Sequence, residues 1–182
     1  MPKLLALKAS LFAIILFTGL AGCANNPAKR TAGVFIDDAV LEPLVKREIF
    51  NANEEFKGSH LVVVSYNGVV LLAGQVPSEA LREEAAEVTQ NVQRVRKVHN
   101  ELTVGGPISL VARTNDSWIT TKVKSRLIAS SEAYGNKTKV VTENGVVYLM
   151  GLLTKEQAEI AVEEAAKSYG VQKIVKVFEY LD

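Results

Sequence analysis

Tyr66 to Gly74 reads YNGVVLLAG, and Glu143 to Gly151 reads ENGVVYLMG. Each places Asn-Gly ahead of an apolar run that closes on Gly. Asn-Gly beside apolar stretches is the strongest short hairpin signal, because both turn residues must adopt positive φ. Its recurrence predicts a duplicated unit. Upstream, Asp38, Leu41, Val45 and Ile49 match Asp116, Ile119, Val123 and Leu127. Downstream, Val92 to Val98 (VQRVRKV) matches Val171 to Val177 (VQKIVKV). The register drifts by a residue or two between matches, as it does when loops vary. The copies fall at 37–104 and 113–182, with a linker at 105–112 that contains Gly105, Gly106 and Pro107.

Each copy predicts the order αββαβ. A helix opens behind Asp38 or Asp116, whose carboxylate can accept from orphan N–H groups, with apolar residues recurring every four positions. The second copy's helix spans Thr114 to Ile128, TNDSWITTKVKSRLI. Two strands follow, about His60–Tyr66 and Val69–Val76, then Lys139–Thr142 and Val146–Leu153. Second helices are expected at Ser78–Gln90 and Lys155–Ser168, and last strands at Arg94–Val104 and Lys173–Leu181. The fold class is α+β, with two helices on one face of a three-stranded mixed sheet in each copy. Pro43 conflicts with this pattern, since a Pro beyond the first turn removes a backbone hydrogen bond. The first helix should therefore start near Glu42 or bend.

The 182 residues carry a formal net charge of +1, which argues against a nucleic-acid-binding stripe. One Cys excludes an internal disulfide and a multi-Cys metal site, and His60 and His99 alone do not suggest zinc. No metal or freely bound cofactor is expected.

Lys3 and Lys8 precede an apolar run, Leu11 to Leu20, that is too short to span a membrane. This has the form of a secretory signal over 1–22. Leu20-Ala21-Gly22-Cys23 then resembles a bacterial lipobox. That resemblance implies a diacylglycerol on the Cys23 sulfur and an N-acyl chain on its new amino group. Multiple acyl chains anchor stably, since each buried CH₂ contributes about 0.8 kcal/mol. Ala24 stands where an Asp would mark retention, and the resemblance to Gram-negative lipoprotein sorting then implies the outer membrane, with the chain on the periplasmic side. Residues 23–36 read as a tether.

The αββαβ order, the hairpin glycines, Gly170-Val171-Gln172-Lys173-Ile174 at the last strand and the duplication together resemble BON domains. With the lipobox, the chain resembles the dual-BON outer-membrane lipoproteins, most closely at 115–127 and 141–154. In the first copy Asn91 stands where that pattern has Gly, so the turn there should differ. The resemblance implies binding to anionic phospholipids such as phosphatidylglycerol and cardiolipin, and roles in outer-membrane integrity and at division sites. It places lipid contact on the first helix of the second domain, with its Trp at Trp118.

The residues can be read independently of that resemblance. At about 100° per residue, Ile119, Val123 and Leu127 form the core stripe, and Trp118 lies about 140° from its centre. Thr121, Lys122, Ser125 and Ile128 fall on the Trp side, while Lys124 and Arg126 flank the stripe. An indole suits a membrane interface, and each nearby cation adds about 1 kcal/mol at an anionic surface. Val40 takes the Trp position in the first copy, beside Asp37, Asp38 and Glu42. The first copy holds seven basic and eleven acidic residues, the second ten and nine, which points membrane contact to the second. The residues leave Trp118 two places: lipid, or packing on the first domain or under the Tyr134 loop. The resemblance favours lipid.

Glu83-Glu84 and Glu163-Glu164 could serve acid–base work, but without a partner nucleophile they read as solvated helix faces. His99, near Arg94, Arg96 and Lys97, reads as a satisfied or exposed side chain. No nucleophile elbow or phosphate loop occurs, so an enzyme is not expected. The alternative to a phospholipid-binding module is an adaptor. It would dock outer-membrane assembly proteins or cell-wall regulators through exposed sheet or helix surfaces.

Overall fold

The computed structural model describes residues 32–130 and 134–181. The signal, Cys23 and most of the tether lie outside the described residues. The order is α1 (Ala32–Ala52), a 3₁₀ turn (Glu54–Gly58), β1 (His60–Tyr66), β2 (Val69–Val76), α2 (Glu79–Gln90) and β3 (Lys97–Val104). The second unit follows with α3 (Leu110–Ala129), β4 (Thr138–Glu143), β5 (Val146–Leu153), α4 (Lys155–Ala166) and β6 (Lys173–Tyr180). Each unit is α+β. Its hairpin pairs antiparallel, and its last strand joins the central strand in parallel across a helical connection.

The first helices differ most from expectation. Both start earlier than the repeat suggests, α1 at Ala32 and α3 at Leu110 behind Ser109, whose side chain accepts from the Ala112 N–H. α1 runs through Pro43 without ending. Asp38 and Asp116 are therefore not N-caps. They are buried inside their helices and cap the Asn-Gly turns instead. Asp38 accepts from Asn67 N (2.7 Å), Gly68 N (2.9 Å) and Ser65 Oγ (2.6 Å). Asp116 accepts from Asn144 N (2.8 Å) and Gly145 N (2.9 Å). The turn residues all have positive φ, from 48° to 75°. Each carboxylate thus satisfies amides that the tight turn leaves without strand partners.

The last-strand register also corrects the sequence match. Val69 pairs with Lys97 and Val146 with Lys173, so Arg94, not Asn91, is equivalent to Gly170. Both adopt positive φ, 77° and 99°.

The helices of each unit bury one sheet face. Leu41, Val45, Ile49, Leu72, Leu81 and Leu102 fill the first core. Ile119, Val123, Leu127, Leu149, Leu153 and Ala161 fill the second. The opposite sheet faces pack on each other: Val64, Tyr66, Leu71 and Ala73 of the first domain meet Tyr148, Met150 and Val177 of the second. The layers therefore run helices, sheet, sheet, helices. Burial pushes the Tyr148 phenol up to about 12, helped by Glu101 and Glu143, so it packs as a neutral ring. Polar contacts ring this interface. Glu179 accepts from Asn67 Nδ2 (2.9 Å) and Arg96 Nη2 (2.7 Å). Glu143 accepts from Gln75 Nε2 (2.9 Å) and lies 3.3 Å from His60 Nε2. Lys139 Nζ donates to Glu42 (2.6 Å). The sheet faces are consequently spent within the chain, which leaves helices, edges and turns for any partner.

Candidate functional site

α3 is amphipathic around the expected stripe. Ile119, Val123 and Leu127 are buried, while Trp118 and Ile128 are each 62% exposed. Trp118 packs neither on the first domain, which meets the second through the sheets, nor under Tyr134, which packs against the second core. Trp118 thus stands on the outer face of α3, away from both packing positions.

On that face, Trp118, Thr121, Lys122, Ser125 and Arg126 line an open cleft. The Lys122 ammonium lies 5.7 Å from the Trp118 ring centroid, within cation–π range. Helical hydroxyls on this side turn back on the backbone. Ser117 Oγ donates to the Arg113 carbonyl (3.0 Å) and Thr121 Oγ1 to the Ser117 carbonyl (2.9 Å). Their donors are satisfied internally, so the surface between the charges is of low polarity.

Not every predicted residue joins this face. Lys124 turns to the other side of α3 and donates to the carbonyls of Gly135 (2.7 Å) and Thr138 (2.5 Å). Burial holds its pKa below the usual lysine value. It is a structural lysine that ties α3 to the loop before β4. Arg126 lines the cleft but pairs with Glu164 (3.3 Å). Ile128 is exposed near the end of the helix.

Sequence reasoning missed three further residues. Tyr169, on the turn before β6, reaches the cleft from a second element, 88% exposed and 5.5 Å from the Lys122 ammonium by its ring centroid. Lys167 lies beside it and hydrogen-bonds Glu164, which holds that carboxyl below its usual range. Val111, seven residues before Trp118 and so on the same side of the helix, is exposed in a stretch read as linker. The available signal for Tyr169 was its position beside Gly170.

The other candidates resolve separately. Glu84 accepts from Asn53 Nδ2 (3.0 Å), while Glu83 and Glu163 are exposed. His99 is half-buried, and burial, then Lys97, lowers its pKa against an opposing push from Glu101. His60 belongs to the domain interface. Among the described residues, no three His, Cys, Asp or Glu gather as metal ligands. No described helix is long and apolar enough to cross a membrane.

The BON domain family matches this chain twice, at residues 37–106 and 115–182. The chain belongs to the BON-domain family. The first BON domain is the unit built on α1 and the second the unit built on α3. The chain is similar to the outer membrane lipoprotein DolP of Haemophilus influenzae, with 41% identity over 162 residues, 89% of this chain and 83% of that one. It is 40% identical over 152 residues to a 21 kDa hemolysin of Actinobacillus pleuropneumoniae, covering 84% and 78% of the two chains. Osmotically-inducible protein Y of Escherichia coli is 29% identical over 158 residues, 86% of this chain and 78% of its own.

Proposed function

We propose that this protein is a non-enzymatic binding module, held at the outer membrane by lipid on Cys23, that docks on anionic phospholipid through α3 of the second BON domain. Its relationship to an outer membrane lipoprotein over most of both chains supports the location. The observation that carries the binding reading is the exposure of Trp118, the chain's sole Trp, beside Lys122 and opposite a fully buried stripe. An indole left outside a well-filled core suits an interface where its ring is buried in lipid and its N–H stays wet. The ammonium beside it adds attraction to phosphate headgroups. Phosphatidylglycerol and cardiolipin are the ligands this chemistry fits, and support of outer-membrane integrity, including at division sites, is the role that follows.

Co-sedimentation with vesicles tests this, using a chain that begins at Ala24 and keeps every described residue. Binding to phosphatidylglycerol vesicles should exceed binding to phosphatidylcholine vesicles. Trp118→Glu should abolish it and leave the melting temperature within about 2 °C, since surface changes stay within about 0.5 kcal/mol. Equal binding to both vesicle types defeats the reading.

A further inference from the structure

Tyr169 stands on an element that the Trp118 helix does not include, yet three observations join it to that face. The Lys122 ammonium lies within cation–π range of both rings, 5.5 Å from Tyr169 and 5.7 Å from Trp118. One lysine is thus within reach of aromatics from two elements. The turn that carries Tyr169 is also fixed in place. Gly170 has φ +99°, and a Cβ there would lie 3.1 Å from Ile119 Cγ1, so the turn packs directly on the core stripe of α3. The charges, finally, are unequal. Arg126 and Lys167 both pair with Glu164, whereas no ion pair among the described residues engages Lys122.

We propose that Tyr169 is a second interfacial anchor, and that it and Trp118 frame a seat for a lipid phosphate at the Lys122 ammonium. This rests on the reading of α3 as the lipid-facing element. The contact then belongs to two elements, α3 and the α4–β6 turn, which hold the second domain in one orientation on the bilayer. A single anchor on one helix would leave it free to roll. The occupant is the bilayer surface on two grounds. The cleft cation that pairs with no carboxylate among the described residues lies within reach of two amphipathic rings, and α1 begins nine residues after Cys23, a reach of about 30 Å at full extension. The first domain supplies a built-in contrast. Its equivalents of Trp118, Lys122 and Tyr169 are Val40, Leu44 and Gln93, which offer neither ring nor cation.

The test uses the chain from Ala24 with vesicles of phosphatidylglycerol in phosphatidylcholine, read by co-sedimentation and by the emission of the sole Trp. Tyr169→Ala should weaken binding about tenfold, the scale of one aromatic ring withdrawn from an apolar environment, with an unchanged melting temperature. Tyr169→Phe should bind within about twofold of the parent. Lys122→Gln should lower binding to the anionic vesicles and remove the preference over phosphatidylcholine alone. Parent-like binding by Tyr169→Ala overturns the second anchor while leaving the α3 reading standing. A parent chain that ignores anionic vesicles overturns the α3 reading itself. An emission shift with inorganic phosphate alone, matching that with vesicles, would make the seat a free-anion site and overturn the bilayer as its occupant.

Discussion

Trp118 and His99 illustrate how single side chains take opposite roles in similar modules. Trp118 lies outside a stripe that needs no further apolar area, so its ring is available to a partner. His99 is half-buried on β3, where burial and Lys97 disfavour its charged form. Its folded pKa lies below the ordinary 6.5, so the unfolded chain takes up the proton first. Folding therefore loses stability as pH falls through 6.5 toward the lowered value, and that part of the stability is fully present above 6.5. His99→Gln should flatten the fall of the urea midpoint between pH 7 and pH 5. Parallel slopes for parent and variant would remove His99 from the acid response. Trp118 was legible because the repeat identified the core stripe independently of it. Tyr169 was not, because its neighbour in space, Lys122, is remote in sequence and no periodicity links a turn to a helix.

At the scale of elements, the two Asp-capped hairpins organise each domain. Helix and hairpin are joined by a carboxylate that reads the turn's amides, so the orientation of the first helix depends on the Asn-Gly conformation. Asp116→Ala would leave Asn144 N and Gly145 N unsatisfied. Hydrogen bonds to a charged group contribute about 1.5–3 kcal/mol each, so the urea-derived stability should fall by about 3 kcal/mol. A loss of about 1 kcal/mol, the cost of removing a helix N-cap, would instead favour the role expected from sequence. The Asp was visible as a repeated residue, but its partner was misassigned because an N-cap and a turn-cap use the same chemistry. The slip at β3 has a similar cause. VQRVRKV and VQKIVKV share four of seven letters in the register that the sequence suggests, while the true equivalence puts Arg94 on Gly170. A non-Gly residue in the left-handed region is uncommon, and here the neighbouring Arg96 N–H donates to Gly68 O (2.8 Å), as Gln172 N does to Gly145 O (3.0 Å). The backbone hydrogen bond defines the turn in both domains, and the glycine is present in only one of them.

For the whole molecule, the packing of the two sheets was written in the central strands. VVLLAGQV and VVYLMGLL are apolar at nearly every position, whereas a sheet covered on one face alternates. The αββαβ order accounts for only one covered face, and the unbroken runs called for a second cover, which each domain supplies to the other. The consequence is cooperative stability. Leu81 is buried in the first domain's own core, among α1, β2 and β3 residues, and belongs to neither the shared sheet interface nor the second core. Leu81→Ala should lower the first domain's stability by about 3 kcal/mol, within the usual range for a buried leucine. If the sheets lock the domains together, the β5 amides of the second domain should lose hydrogen-exchange protection by the same free energy, because opening one sheet exposes the inner face of the other. Domains that open independently would show the loss in β1–β3 alone, with β5 unchanged. The linked outcome also gives the first domain a purpose at a lipid surface it does not itself suit. By covering Tyr148, Met150 and Val177 it stiffens the sheet on which α3 is mounted, so Trp118 and Tyr169 keep the separation that the proposed bilayer contact requires.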